Sequence, residues 1–158
     1  MEIRLAEIRD IPGMIALLKQ VGQVHYEIRP DLFREGAQKY DEADLEALLQ
    51  DSSRPIFVAA EGDKVLGYCF CICKITENNT VLRDRRELYI DDLCVDGHCR
   101  GLGVGGKLYD HAVAFARAEK FDAVTLNVWF GNDSAMRFYE NRGLKPRNIH
   151  MEMVLEDN

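Results

Sequence analysis

Four glycines fall within six residues, at Gly101, Gly103, Gly105 and Gly106, between an apolar run ending at Val95 and a helical apolar stripe beginning at Val104. A glycine inside a helix costs about 1 kcal/mol relative to alanine, so this clustering at a helix start points to a use. The first N–H groups of a helix have no intrahelical partner, and the macrodipole there favours anions. Without Cβ atoms a phosphate can approach that backbone closely. Arg100 adds a full positive charge beside it. A tight turn alone would need one or two glycines. The chemistry indicated is phosphate binding.

Two familiar phosphate loops fit poorly. Gly101-x-Gly103-x-x-Gly106 has the spacing of a dinucleotide fingerprint, but the next strand ends Leu126-Asn127-Val128-Trp129 without a carboxylate for a ribose. Gly101-x-x-x-x-Gly106-Lys107 resembles a nucleoside-triphosphate loop, yet Leu108 stands where Ser or Thr should ligate Mg²⁺.

Upstream, Asp91 and Asp92 interrupt an apolar run, which is costly unless they are exposed or paired. Adjacent strand residues point to opposite faces, so only one of them can face a reacting centre unless the strand is distorted. Glu87 lies on the same alternation as Asp91. These carboxylates are either functional or simply solvated and ion-paired at the surface. The histidines His25, His98, His111 and His150 form no constellation. Cys69, Cys71 and Cys73 alternate on one face without metal-ligand spacing, so buried free thiols and no metal are expected.

These groups need a scaffold. Ile3 and Leu5 suggest a first strand, and Ile11, Met14, Ile15, Leu18 and Val21 recur at helical spacing. A polar and aromatic stretch from His25 to Tyr40 precedes a helix starting at Asp41 or Asp44. Pro55–Glu61 and Lys64–Lys74 flank Gly62-Asp63 as a hairpin, and Glu87–Val95 reads as a third strand. A helix Gly103–Lys120, a strand Ala123–Trp129, a helix after the capping residues Asn132-Asp133-Ser134, and a final strand Asn148–Leu155 follow. The expected fold is α/β (α+β): a mostly antiparallel mixed sheet with helices on both faces, in a single domain of residues 1–158.

Val95-Asp96-Gly97-His98-Cys99-Arg100-Gly101-Leu102-Gly103-Val104-Gly105 resembles the Arg/Gln-x-x-Gly-x-Gly/Ala pyrophosphate loop of the GNAT superfamily of N-acetyltransferases. A second similar block, Asn132 to Leu144, follows in the family's order and spacing. The resemblance implies a GNAT-like twisted sheet and acetyl-CoA as co-substrate, held by the loop from Arg100 to Gly106. It implies a bulge near Leu93-Cys94-Val95 that frees backbone groups for the pantetheine arm and acyl oxygen. Asn132 would contact the pantetheine region, and Tyr139 would be the acid facing the leaving sulfur. The stretch around Asp91 and Asp92 is similar to spermidine/spermine acetyltransferases, where such carboxylates anchor the amine or relay its proton. The acceptor wall would lie between Val24 and Tyr40, including His25, Tyr26, Arg29, Phe33 and Tyr40. Homodimers are the family's habit.

The implied reaction is direct acetyl transfer to a primary amine, favouring a small-molecule amine, polyamine or amino acid. A protein or peptide N-terminal or lysine acetyltransferase, or a non-catalytic acyl-CoA-binding module, is the alternative. Cys94 lies close enough to the loop to stay a candidate nucleophile. A net charge of −7 argues against nucleic-acid binding and agrees with a cationic substrate. Met1-Glu2-Ile3-Arg4 has no secretory pattern, and no apolar run approaches the roughly 20 residues that cross a bilayer. A cytoplasmic protein without a membrane span is expected.

Overall fold

The computed structural model describes residues 1–156, which group into two units, residues 1–127 and residues 128–156. In the first, strand β1 (Glu2–Leu5) leads through a one-turn 3-10 helix into α1 (Ile11–Ile28), then α2 (Glu42–Leu49). Strands β2 (Ile56–Glu61), β3 (Lys64–Thr76) and β4 (Arg85–Val95) precede α3 (Val104–Ala118) and β5 (Ala123–Leu126). The sheet order is β1-β2-β3-β4-β5, antiparallel except for the parallel β4–β5 pair. The mixed, mostly antiparallel sheet expected from the sequence is therefore present.

Helices cover both faces. On one, Met14, Leu17 and Leu18 of α1 and Leu45 of α2 pack with Ile56, Val58, Tyr68, Phe70 and Cys94. On the other, Phe57 meets His111 and Phe115 of α3 edge-on, at ring centroids 4.8 and 5.4 Å apart. The Cys69 and Cys71 sulfurs lie 3.7 Å apart, as the alternation requires for one face. A buried ion pair ties β1 to the start of α1: Arg4 donates to both carboxylate oxygens of Asp10 at 2.7 and 3.0 Å. Burial alone would raise the Asp10 pKa, but the Arg4 hydrogen bond and the Glu7 backbone N–H hold it below its ordinary value.

α1 begins with Pro12 in its first turn and runs seven residues past Val21, so His25 and Tyr26 are helical where the composition suggested a loop. α2 starts at a reciprocal capping box between Asp41 and Asp44. The β2–β3 turn falls at Gly62-Asp63, as expected.

The second unit contains α4 (Asp133–Glu140), capped by the Asn132 side chain, which accepts from the Ala135 N–H at 3.3 Å. After α4 the chain turns at Gly143 (φ +88°). Two sequence expectations fail here. β5 stops at Leu126, short of Trp129, and residues 148–155 pair with no strand. Alternation alone cannot create a strand; a ladder needs a neighbour with free N–H and C=O groups.

Candidate active site

The decisive irregularity lies in β4. Asp92 faces Phe70 across the β3–β4 ladder and Ile90 faces Cys71, leaving Asp91 as an inserted residue without an opposite. This bulge sits two residues before the Leu93-Cys94-Val95 stretch where the family resemblance put it. Those three residues pair in regular register with Cys69, Tyr68 and Gly67. An inserted residue resets the alternation, so both carboxylates reach the face that carries Tyr68 and Phe70. Asp91 Oδ2 accepts from Lys39 Nζ at 2.7 Å and from Tyr40 Oη at 3.3 Å. Asp92 Oδ2 accepts from Tyr68 Oη at 2.6 Å. Tyr40 stacks on Phe70 (5.7 Å, 22°) and Tyr68 meets the same ring edge-on (4.7 Å, 86°), so one phenylalanine positions both phenols. A small recess beside Asp91 is lined by Tyr40, Leu48, Arg54, Phe70 and Ile72.

Burial pushes the Asp92 pKa up to about 6, against the Tyr68 hydrogen bond and the Lys39 charge, which act to lower it; the Asp91 charge adds to the rise. Burial and the Asp92 charge push the Tyr68 phenol far above its ordinary range, so it remains a donor. Burial alone would lower Lys39, but its hydrogen bond to Asp91 and the Asp91 charge outweigh that and keep it an ammonium.

Beyond Ile90↔Leu126 the β4–β5 ladder ends. From Asp91 to Val95 the β5 side of β4 therefore has no strand partner among the described residues, and that edge keeps its backbone polar groups for another ligand. The Cys94 side chain turns the other way: it is buried and its thiol donates to the Leu17 carbonyl at 3.6 Å. Burial pushes its pKa up to about 12, so it is a neutral core thiol and an unsuitable nucleophile.

The glycine loop follows. Asp96 caps a 3-10 turn through the His98 N–H at 3.0 Å, and Gln20 of α1 accepts from the Gly97 N–H at 3.1 Å. Gly101 (φ +79°) and Gly103 (φ +76°) take the left-handed conformation, with nothing within 4 Å of where a Cβ would stand. Gly103 caps α3, whose first intrahelical bond runs from the Lys107 N–H to the Gly103 carbonyl at 3.1 Å. The N–H groups of Val104, Gly105 and Gly106 precede it and have no helical acceptor. Arg100 and Leu102 are exposed on the loop, and Val104 is buried beneath it. The seat of α3 depends on Gly67: a Cβ there would stand 2.9 Å from the Cys94 carbonyl and 3.2 Å from Val104. Open glycines, free N–H groups and an exposed cation fit a pyrophosphate.

In the second unit Tyr139 lies half-buried on α4, its ring edge-on to Phe138 at 5.1 Å. Asn132 occupies the cap of the same helix.

Other candidates are placed less favourably. The Arg29 guanidinium holds Asp31 through Nε (2.8 Å) and Nη2 (2.6 Å), which removes it as a free anchor for a substrate carboxylate. Phe33 stacks on His25 at 5.1 Å, and Tyr26 is half-buried on α1. Glu87 is bonded by Arg85 Nε at 2.7 Å and sits opposite Lys74, near the start of β4 and four residues before the bulge. It does not join the Asp91–Asp92 cluster. Lys39, Tyr68, Gly67 and Gln20 were missed by sequence reasoning. Of these, only Tyr68, alternating with Phe70 on a cysteine-rich strand, had a readable signal.

The model of the acetyltransferase (GNAT) family matches residues 23–144, which include β4, the glycine loop, Asn132 and Tyr139. The chain belongs to that family. It is 28% identical over 143 residues to the uncharacterized N-acetyltransferase YhfO of Bacillus subtilis, covering 90% of this chain and 89% of YhfO. It is 33% identical over 89 residues to Probable N-acetyltransferase san of Drosophila melanogaster, covering 56% of this chain but only 45% of that protein. The chain thus spans less than half the length of that relative. A crystal structure of a mutant BH1408 protein from Bacillus halodurans superposes with a TM-score of 0.93 at 29% identity, over 99% of this chain and 100% of the other. Among the described residues no helix is long and apolar enough to cross a membrane.

Proposed function

We propose that the chain transfers an acetyl group from acetyl-CoA directly to a primary amine on a small, cationic acceptor. The observation that carries this reading is the bulge at Asp91, which puts two carboxylates, one of them (Asp92) with its pKa raised by burial, on one face of the strand that leads into the glycine loop. Gly101, Gly103 and the first turn of α3 would hold the pyrophosphate, with Arg100 as counter-charge. Acetyl-CoA supplies the activated acyl group. The open edge of β4 offers backbone donors to the pantetheine arm and acyl oxygen; one such donor contributes roughly 3 kcal/mol where it meets developing charge.

Asp91 anchors an ammonium, as Lys39 already demonstrates within the chain. Asp92, with a pKa of about 6, is ionised at neutral pH yet basic enough to accept a proton, directly or through water. The permanently protonated Tyr68 orients it. Tyr139 would return a proton to the leaving sulfur, its phenol O–H acting as the donor. The neutral Cys94 thiol favours direct attack over a covalent relay. The Asp91–Asp92 pair supports the finer likeness to spermidine/spermine acetyltransferases.

The test is a panel of polyamines, amino acids, aminoglycosides and peptides, read by free-thiol release from acetyl-CoA. Turnover highest with di- and polyamines supports the reading. Preference for peptides would move the acceptor to a protein N-terminus or lysine. Thermal protection by CoA with no turnover on any amine would leave an acyl-CoA-binding module.

A further inference from the structure

The chain brings one of its own primary amines to the acid pair. Lys39 stands in the segment between α1 and α2, and its Nζ lies 2.7 Å from Asp91 Oδ2. The neighbouring residues are held in place. Gln38 Nε2 donates to the Tyr40 carbonyl at 2.7 Å, Tyr40 stacks on Phe70, and Asp41 opens α2 through its capping box. The Lys39 Nζ also lies 5.4 Å from the centroid of the Tyr40 ring, whose hydroxyl bonds the same Asp91 oxygen. The Lys39 side chain nevertheless stays half-exposed, so a reagent can reach it. Lys74, by contrast, sits on the Tyr89 ring, 3.7 Å from its centroid, opposite Glu87 and away from the acid pair.

The Lys39–Asp91 pair has the form of a bound acceptor. Under the proposed function, on which this inference rests, Asp91 holds a substrate ammonium while Asp92 takes its proton. Lys39 places a primary amine on that same carboxylate. Asp92 is the next residue of β4, close enough for its charge to act on the Lys39 ammonium. Tethering gives such an amine a high effective molarity without any binding step.

We propose that Lys39 is a self-acetylation site, modified from acetyl-CoA bound to the same chain. Nζ gives a proton to Asp92, directly or through water, and its lone pair attacks the thioester carbonyl carbon. The N–C bond forms and the C–S bond breaks with its electron pair going to sulfur, which takes up a proton and leaves as the free thiol of CoA. The product is a neutral amide, so the charge on Lys39 is removed and its ion pair with Asp91 is lost. Asp91 is then open to an external ammonium. The first acetyl group converts a closed acceptor site into an open one, and Lys39 serves as both substrate and latch.

The test incubates the full wild-type chain with acetyl-CoA alone and locates acetyl groups by peptide mass mapping. Lys39 is expected to be acetylated about tenfold faster than any other lysine, at a rate per chain that does not change with protein concentration. In the heat-unfolded chain that preference should vanish. Preincubation should also lower the KM of dicationic acceptors by about two- to fivefold. Lys39→Arg keeps the charge but forms no such amide, so preincubation should leave its KM unmoved. Equal labelling of all lysines, an unchanged preference after unfolding, or a rate rising with protein concentration would each overturn self-acetylation. Acetylated Lys39 with an unmoved KM would remove the latch. Running the amine panel on the same sample separates the two ideas: turnover with Lys39 unmodified ends this one and leaves acetyl transfer standing, whereas neither turnover nor label ends both.

Discussion

The glycine loop and the acid pair are separated by only a few residues of β4 and its exit, yet they are built by different means. The loop works through backbone: two left-handed glycines and the first-turn N–H groups of α3, with the Leu102 side chain exposed. The acid pair works through side chains drawn from the segment before α2, from β3 and from a bulge in β4. A backbone site tolerates most changes around it and fails when a Cβ is added. A side-chain site can be retuned one partner at a time. Under the proposed function, the division suits one invariant co-substrate and an adjustable acceptor.

The largest effect is expected at the proposed acid, outside both regions. Tyr139→Phe should lower kcat by about 100-fold or more while acetyl-CoA affinity, measured by calorimetry, stays within twofold. Unchanged kcat across the pH range would remove Tyr139 from the mechanism.

The loop should break next. Gly103→Val places a β-branched residue at φ +76°. The left-handed cost predicts a rise of about 10- to 30-fold in the acetyl-CoA KM, with the amine KM little changed. Gly103→Asn, which tolerates that conformation, should recover part of the loss. Equal losses for the two variants would show that the glycine matters for space and not for φ.

On the acid side, Asp92→Asn should cost roughly tenfold in kcat/KM at pH 8. It should also abolish an acid limb near pH 6 in the wild-type profile. Stability supplies a separate reading. The folded pKa of Asp92 is raised from 3.8 to about 6, so the protein holds that proton more tightly than the unfolded chain does. The contribution is present below pH 4 and is lost as pH rises through about 6, amounting to roughly 3 kcal/mol at most. Asp92→Asn should therefore raise the denaturation midpoint at pH 8 and leave it unchanged at pH 4. The opposite ordering would refute the burial argument.

The smallest effect is expected at Lys39, whose side chain is 49% exposed. Lys39→Met frees Asp91 for an external ammonium and should lower the KM of dicationic acceptors by about two- to fivefold, leaving neutral amines unaffected. A higher KM would make Lys39 a support of the acid pair instead of its resident competitor.

Much of this molecule was legible beforehand, for local reasons. Periodicity located the helices and strands, because an amphipathic face repeats every few residues whatever it packs against. The helix starts near Asp41 and after Asn132, the Gly62-Asp63 turn and the Gly103 helix start depend on adjacent residues and so were readable too. The Asp91 bulge was not, because register is a property of two strands and becomes visible only when β3 and β4 are aligned. For the same reason the sequence could not decide which of Asp91 and Asp92 lies on which face; the structure brings both to the face of Tyr68 and Phe70.

What the sequence determined alone is the glycine loop, where glycine count and helix start specify the backbone directly. What tertiary structure decided is the acid pair's company: Lys39, Tyr40 and Tyr68 reach β4 from 52, 51 and 24 residues away. Their approach depends on how α1, α2 and the sheet bury their apolar faces, and no local pattern records it. Residues 148–155 mark the limit from the other direction, since their alternation specifies a strand but only a neighbouring edge can complete it.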